Sequence, residues 1–371
     1  MKNIKKKIEG LFKNFFYKVF ALFHGKVKGH INYKDDSRIK VETIDKENNF
    51  KYKIFKVSKG RLYTDRIHDT AIILDNLVIE GPSYQLRPIN DAGIKENIVF
   101  KKGTPRKKKN INGKILSLLT GGAGNENYFH WLYDVLPRIA LYEEISDMKD
   151  INFFLVPSYE KKFQIQTLEL LNIPKNKCLS SRFFRHIESS EIIITQHPYV
   201  VTNNSTEDIQ NIPVWISKWL KKKYINIESQ KSFKFDKKIY IDRKDSTSNA
   251  KKLRSIINED EIKLFLEKHG FKTITLSEYD FIDQVKIFNN AEFIVGLHGA
   301  GFANLCFCNP GTKVIELKSN TAGKMYENIA VTNSLNYHPL SCEVEKFGEN
   351  NQFGHIKVST KLLEEIIKKI N

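Results

Sequence analysis

The sequence predicts an α/β protein of two domains, the second built on a Rossmann-like parallel sheet. Three observations carry this. The chain has 371 residues, too many for one compact core and suited to two of ordinary size. Its 41% hydrophobic and 12% aromatic content belongs to a folded protein rather than a disordered one. Beyond residue 236, apolar β-type runs alternate with amphipathic helical runs, and such alternation demands a parallel sheet with right-handed crossovers.

Residues 1–29 come first. Ile4, Ile8, Leu11, Phe12, Phe15, Phe16, Val19, Phe20 and Phe23 recur at helical spacing, and Lys2, Lys5, Lys6, Lys7, Lys13 and Lys18 take much of the remaining circumference. Lys13 and Lys18 interrupt the apolar run and no small-residue cleavage site follows, which argues against a signal peptide. No window has 18 consecutive apolar residues, so no membrane-spanning helix is expected. A basic, Phe-rich amphipathic helix suits an anionic membrane surface; the ordinary alternative is a helix packed on its own domain.

Residues 30–205 are expected to form an α/β domain, β-rich and irregular at first. TAIILDNLVIEG (70–81) gives two strands around Asp75-Asn76, and KKGTPRKKKN (101–110) a solvated basic loop. KILSLLTGG (114–122) gives a buried strand. NENYFHWLYDVLPRIALYEEI (125–145) gives an aromatic helix that Pro137 must kink or split. Strands at 151–157 and 190–195 flank a helix at 160–174. Residues 206–235 are polar around one helical run and are expected to link the domains. Residues 236–350 form the second domain, with strands at 237–243, 271–276, 292–297, 312–318 and 336–342. Helices fall at 260–270, 277–291 (Ser277 as N-cap), 301–308 and 325–334. A last helix lies within 351–371.

The formal charge is +17 and the pI about 9.4, which implies an anionic partner without identifying it. There is no helix-turn-helix, zinc or RNP signature, and the basic runs lack interleaved aromatics, so nucleic acid is not expected. Cys178, Cys306, Cys308 and Cys342 show no zinc-like spacing and are expected to be free thiols in a reducing compartment.

Two constellations carry chemistry. In NYFHWLYDVLPR (127–138), His130 and Asp134 stand at i, i+4 and share a helix face among aromatics. A carboxylate beside an imidazole supplies a general base, or else an ordinary hydrogen-bonded pair; no third metal ligand is evident. In FIVGLHGAGFANLCFCNPGTKVIEL (293–317), Gly296 to Gly301 lie where a buried strand ends and a helix starts. Open α/β sheets bind ligands at that edge, and helix N-termini favour phosphate. His298 adds a polar group. Arg243, after the first strand of this half, and Arg254, before the next helix, suit a pyrophosphate, and Glu316 suits ribose hydroxyls. The spacing matches neither G-x-G-x-x-G nor a P-loop. HGAG also fits the oxyanion turn of lipases, but the chain has no G-x-S-x-G.

The blocks GNENYFHWLYDVLPRI (124–139), YIDRKDS (240–246), LRSIINEDEI (253–262) and the run 270–317 resemble glycosyltransferase family 61, over about half of the chain and in the same order. That resemblance implies an inverting GT-B-like enzyme, two Rossmann-like domains facing a cleft. It implies a nucleotide-sugar donor, usually a UDP-sugar, held by the second domain without a metal or other cofactor. Arg243, Arg254, His298, Gly299, Ala300, Gly301, Asn304 and Glu316 would bind the donor. Asp134, with His130 as alternative, would be the base for a saccharide or lipid-linked acceptor. Lys251-Lys252 before Arg254 and Asp260 after Asn258-Glu259 depart from the family pattern. The Lys/Ile/Asn-rich composition suggests a bacterial source and, with the basic N-terminal helix, work on capsule or surface polysaccharide at the cytoplasmic face of the cell membrane. The rival expectations are a non-catalytic basic protein binding nucleic acid or anionic polymer, and a GT-B-fold epimerase or phosphorylase.

Overall fold

The computed structural model describes residues 2–46, 50–85, 93–120, 122–200, 202, 204–229, 235–244, 254–347 and 354–370. Lys251 and Lys252 lie outside them. The chain divides into two compact units, residues 1–208 and 209–371.

In the first unit, a helix at Lys2–His24 precedes strands β1 (Gly29–Asn32), β2 (Ile39–Lys46), β3 (Phe50–Ser58), β4 (Arg61–Thr64), β5 (Asp69–Leu74), β6 (Leu77–Glu80) and β7 (Tyr84–Gln85). β5 and β6 form the expected hairpin. Asp75 and Asn76 both have positive φ, 49° and 67°, as a primed two-residue turn requires. After these come β8 (Lys109–Ser117), β9 (Phe153–Val156), β10 (Cys178–Ser180) and β11 (His186–Thr195).

The sheet differs from the expected Rossmann-like form. β11, β8, β9 and β10 are parallel neighbours, but β11 also pairs antiparallel with β3 and β4, and β2 to β7 form antiparallel ladders. The reason is connection length. The short links among β2 to β7 permit hairpins, whereas β8 to β9 and β9 to β10 are joined by helical crossovers. The sheet is therefore mixed. Ile72, Ile115, Leu155, Ile187 and Ile194 are buried together across the two parts.

The second unit holds β12 (Lys238–Asp242), β13 (Lys272–Thr275), β14 (Phe293–Leu297), β15 (Lys313–Ser319) and β16 (Asn336–Cys342), all parallel, in the order β13-β12-β14-β15-β16. The chain runs outward from β12 in one direction, then crosses back to β14. The topological switch point therefore lies between β12 and β14, where open sheets leave a crevice for ligands. Val295, Ile315, Leu317, Leu363 and Ile367 share one core, so the last helix (Thr360–Ile370) belongs to this unit. The helix Val214–Tyr224, expected within a linker, buries Trp215, Ile216, Leu220 and Tyr224, and its Lys221 Nζ donates to the Cys308 carbonyl at 2.5 Å. It too is part of the second unit. The helix expected from Ser277 begins at Phe281 instead. Asp280 caps it in a reciprocal box with Asp283, since a single turn of 3₁₀ helix takes up Leu276–Glu278.

Candidate active-site clusters

The aromatic helix follows β8 and is split as Pro137 requires. Tyr128–His130 and Pro137–Glu143 are α-helical, and Trp131–Val135 between them is one π turn, closed by Leu136 N donating to the Trp131 carbonyl at 3.1 Å. Pro137 has no N–H to give to an i−4 carbonyl, and the wider turn takes up the mismatch. Asn127 starts the segment, its side chain accepting from Phe129 N at 2.9 Å.

On this segment His130 Nδ1 lies 2.8 Å from Asp134 Oδ2, the expected i, i+4 pair. Their side chains are 22% and 4% exposed, so the histidine is the member that meets solvent. Three further residues, His197, Tyr199 and Arg138, complete the cluster. His197 Nε2 is 3.7 Å from Asp134 Oδ2. His197 Nδ1 accepts from the amides of Tyr199 and Val200 at 3.3 and 3.0 Å, which fixes the neutral ring with its proton on Nε2, facing Asp134. Buried Arg138 donates from Nη1 to the Thr195 carbonyl at 2.8 Å, tying the helix to the end of β11. His130, His197 and Tyr199 thus gather at the carboxyl ends of the parallel strands β8 and β11.

Electrostatics separates the pair. Burial pushes Asp134 up, but the charge and hydrogen bond of His130, with His197, outweigh it and hold the carboxyl well below its usual range. Burial pulls His130 down, but the Asp134 charge and hydrogen bond raise it above 6.5. His197 is lowered by burial and stays neutral. Asp134 is therefore a fixed carboxylate too weakly basic to take a proton well, while His130 is the stronger base, with Nε2 as its remaining nitrogen. The sequence put Asp134 before His130 as the base; these directions favour His130.

In the second unit, Arg243 follows β12 and His298 follows β14, on the two sides of the switch point. Arg243 Nη1 donates to the His298 carbonyl at 3.1 Å. A Cβ on Gly299 would stand 3.1 Å from the Arg243 guanidinium, and one on Gly301 would stand 2.9 Å from Leu276. Both glycines therefore make room for the protein's own side chains. Ala300 opens a 3₁₀ helix, Ala300–Phe307. Asn304 is fully buried, its Nδ2 donating to Gln284 Oε1 at 3.3 Å, so it braces this turn from within.

Glu316 lies within β15, not at its end, and is 0% exposed. One carboxylate oxygen pairs with His298 Nδ1 and the other accepts from the Tyr337 hydroxyl. With both oxygens engaged, the expected ribose contact does not fit, and its place is behind His298. The neutral imidazole donates from Nδ1–H to Glu316 and keeps Nε2 as an acceptor. Tyr326 packs edge-on against the ring at 4.8 Å. Burial lowers the His298 pKa; Glu316 works against this, and the charges of Arg254 and Lys318 add to it. Arg254 is half-buried; that burial, and then the like charge of Arg243, push it down to about 10, and it stays cationic at neutral pH.

The sequence reading missed His197 and Tyr199, in QHPYV directly after β11, and Tyr326 and Tyr337. It quoted Arg138 without giving it a role. The rule that ligands meet the carboxyl ends of parallel strands would have found the first two. Among the described residues no group of three His, Cys, Asp or Glu could hold a metal ion. The four cysteines are free, Cys306 and Cys308 buried.

The two units each hold a histidine-bearing cluster at the carboxyl ends of parallel strands, and comparison with known proteins gives the class as glycosyltransferase. The model of the Glycosyltransferase 61 family matches residues 128–315, just over half of the sequence, and the chain belongs to that family. The match takes in His130, Asp134, His197, Arg243, Arg254 and His298 and stops one residue before Glu316. A Drosophila melanogaster relative, EGF domain-specific O-linked N-acetylglucosamine transferase, is 28% identical over 93 residues, 24% of this chain and 18% of its own length. A Mus musculus protein of the same name is 28% identical over 89 residues, 23% and 17% of the two lengths. The chain thus matches less than a fifth of either relative.

Proposed function

We propose that the protein transfers a sugar from a nucleotide-sugar, of the UDP type, to a saccharide acceptor with inversion at the anomeric carbon. The observation that carries the donor class is the pairing of Arg243 with Arg254 at the switch point of the second sheet. Two guanidiniums, one of them half-buried and lowered by that burial and by its neighbour's charge, suit a ligand with two adjacent negative charges, and a diphosphate has that form. His298 Nε2, an acceptor in the neutral ring, suits a hydroxyl of the donor rather than a phosphate oxygen.

In the transfer, the acceptor hydroxyl attacks the anomeric carbon as the bond to the diphosphate breaks. His130 Nε2 takes the hydroxyl proton, and Asp134, hydrogen-bonded at Nδ1, holds the ring and stabilises the imidazolium. Arg243 and Arg254 neutralise the diphosphate that leaves, with no metal required. The two relatives are named for transfer of N-acetylglucosamine, which puts that sugar first in any donor panel. The Lys/Ile/Asn-rich composition supports assembly of a bacterial capsule or surface polysaccharide, at the cytoplasmic face of the membrane, as the setting.

The test is a panel of nucleotide-sugars offered with saccharide acceptors, with and without EDTA. Transfer from a UDP-sugar that persists in EDTA, retains inverted stereochemistry and is lost in His130→Ala is expected. Turnover with no donor, or a His130→Ala variant as active as wild type, contradicts the reading.

A further inference from the structure

Residues 2–24 form one helix whose two sides have opposite fates. Tyr17, Ala21 and His24, at i, i+4 and i+7, face the first unit and are half-buried. The Tyr17 ring covers Gly103, where φ is +61° and there is no room for a Cβ. His24 Nδ1 meets Arg61 Nη1 at 2.9 Å, and its ring packs edge-on against His186 at 4.7 Å. These contacts fix which side of the helix turns outward. That side carries Leu11, Phe12, Phe15, Leu22 and Phe23, exposed by 70, 60, 62, 86 and 81%. Exposed apolar area on this scale marks an interaction surface.

The same docking brings the basic loop alongside. Gly103 sits under Tyr17, and Lys102, Arg106 and Lys107, within four residues of it, are exposed, as are Lys7, Lys13 and Lys18 on the helix itself. None of these six forms an ion pair with a described carboxylate. A partner must therefore supply apolar depth at the centre and negative charge at the rim. A second copy in the same pose would set lysine rim against lysine rim. No described helix is long and apolar enough to cross a membrane.

We propose that the outer face of helix Lys2–His24, together with residues 102–107, is a docking surface for an anionic lipid bilayer. Phe12, Phe15, Leu22 and Phe23 enter the acyl boundary, and the loop and helix cations meet the headgroups. The helix lies in the plane of the interface and the folded unit stays outside it. This surface is independent of glycosyl transfer, and its readout needs no donor.

The experiment is co-sedimentation of the full chain with vesicles of phosphatidylcholine alone or of equal parts phosphatidylcholine and phosphatidylglycerol. Binding to the mixed vesicles only, weakening with added salt, is expected. Phe12→Ser/Phe15→Ser should lose about tenfold or more in vesicle affinity at unchanged melting temperature, since both side chains are exposed in the free protein. Lys102→Glu/Lys107→Glu should weaken binding and flatten its salt dependence. Equal binding to both vesicle types, none to either, or full binding by the Phe double variant overturns the proposal. So does light scattering that shows an oligomer in wild type which the Phe double variant dissolves, because the face is then an interface between copies.

Discussion

Each unit of this protein holds a histidine against a buried carboxylate, and the two pairs behave in opposite ways. His130 and Asp134 are four residues apart on one helical segment, whereas His298 and Glu316 are brought together from neighbouring parallel strands. The first imidazole is raised in pKa and the second lowered. The contacts are alike; the surroundings are not. Beside His130 the strongest charge is Asp134, and His197 stays neutral. Beside His298 burial is reinforced by Arg254 and Lys318, which offset Glu316. The same kind of pair thus leaves the imidazole raised where the carboxylate charge prevails and lowered where burial and nearby cations add up.

The widest consequence is for turnover. On the proposed mechanism, His130→Ala should lower kcat by about 10³-fold while leaving the Kd for a nucleoside diphosphate unchanged, because His130 belongs to the first unit and Arg243 and Arg254 to the second. Parallel loss in both quantities would break the division of labour. Asp134→Asn should lower kcat by about 10²-fold and move the acid limb of the pH–rate profile to lower pH. The sign follows from linkage. A base works only when deprotonated, so the limb lies above 6.5 while Asp134 is charged and falls when that charge is removed. Arg254→Met should act in the other unit, weakening nucleoside diphosphate binding by about tenfold or more, as isothermal calorimetry would show.

Smaller effects concern stability. Glu316→Gln keeps the shape but disturbs both partners of a fully buried carboxylate, and should cost about 1–3 kcal/mol in denaturant unfolding. The His130–Asp134 pair should show a pH window. Asp134 is depressed, so its contribution is present above about 3.9 and lost as pH falls through its folded value. His130 is raised, so its contribution is full below about 6.5 and lost as pH rises through its folded value. The melting-temperature gap between wild type and His130→Ala should thus be widest between about pH 4 and 6.5.

How much of this was legible beforehand depends on sequence distance. His130 with Asp134 is a local relation, and helical periodicity reveals it. Pro137 likewise announces the break in its helix, which the chain resolves as a π turn. The strands and most helices of the second unit stand where alternation placed them, because each crossover leaves an apolar run and an amphipathic run. The role of Glu316 was hidden, since Tyr337 reaches it from a strand 21 residues away and no spacing rule encodes that contact. The mixed sheet of the first unit was hidden for the same reason: β11 pairs with β3 across more than 130 residues. His197 escaped because its partner lies on another element, and only the position of QHPYV at a strand end hinted at it.

The opposition of the two histidines is the claim most open to direct measurement. Nuclear magnetic resonance titration of the imidazole rings, assigned with His130→Ala and His298→Ala, reads both midpoints in the free protein. The account predicts His130 above 6.5 and His298 below it. Midpoints in the reverse order, or both on one side of 6.5, would contradict it.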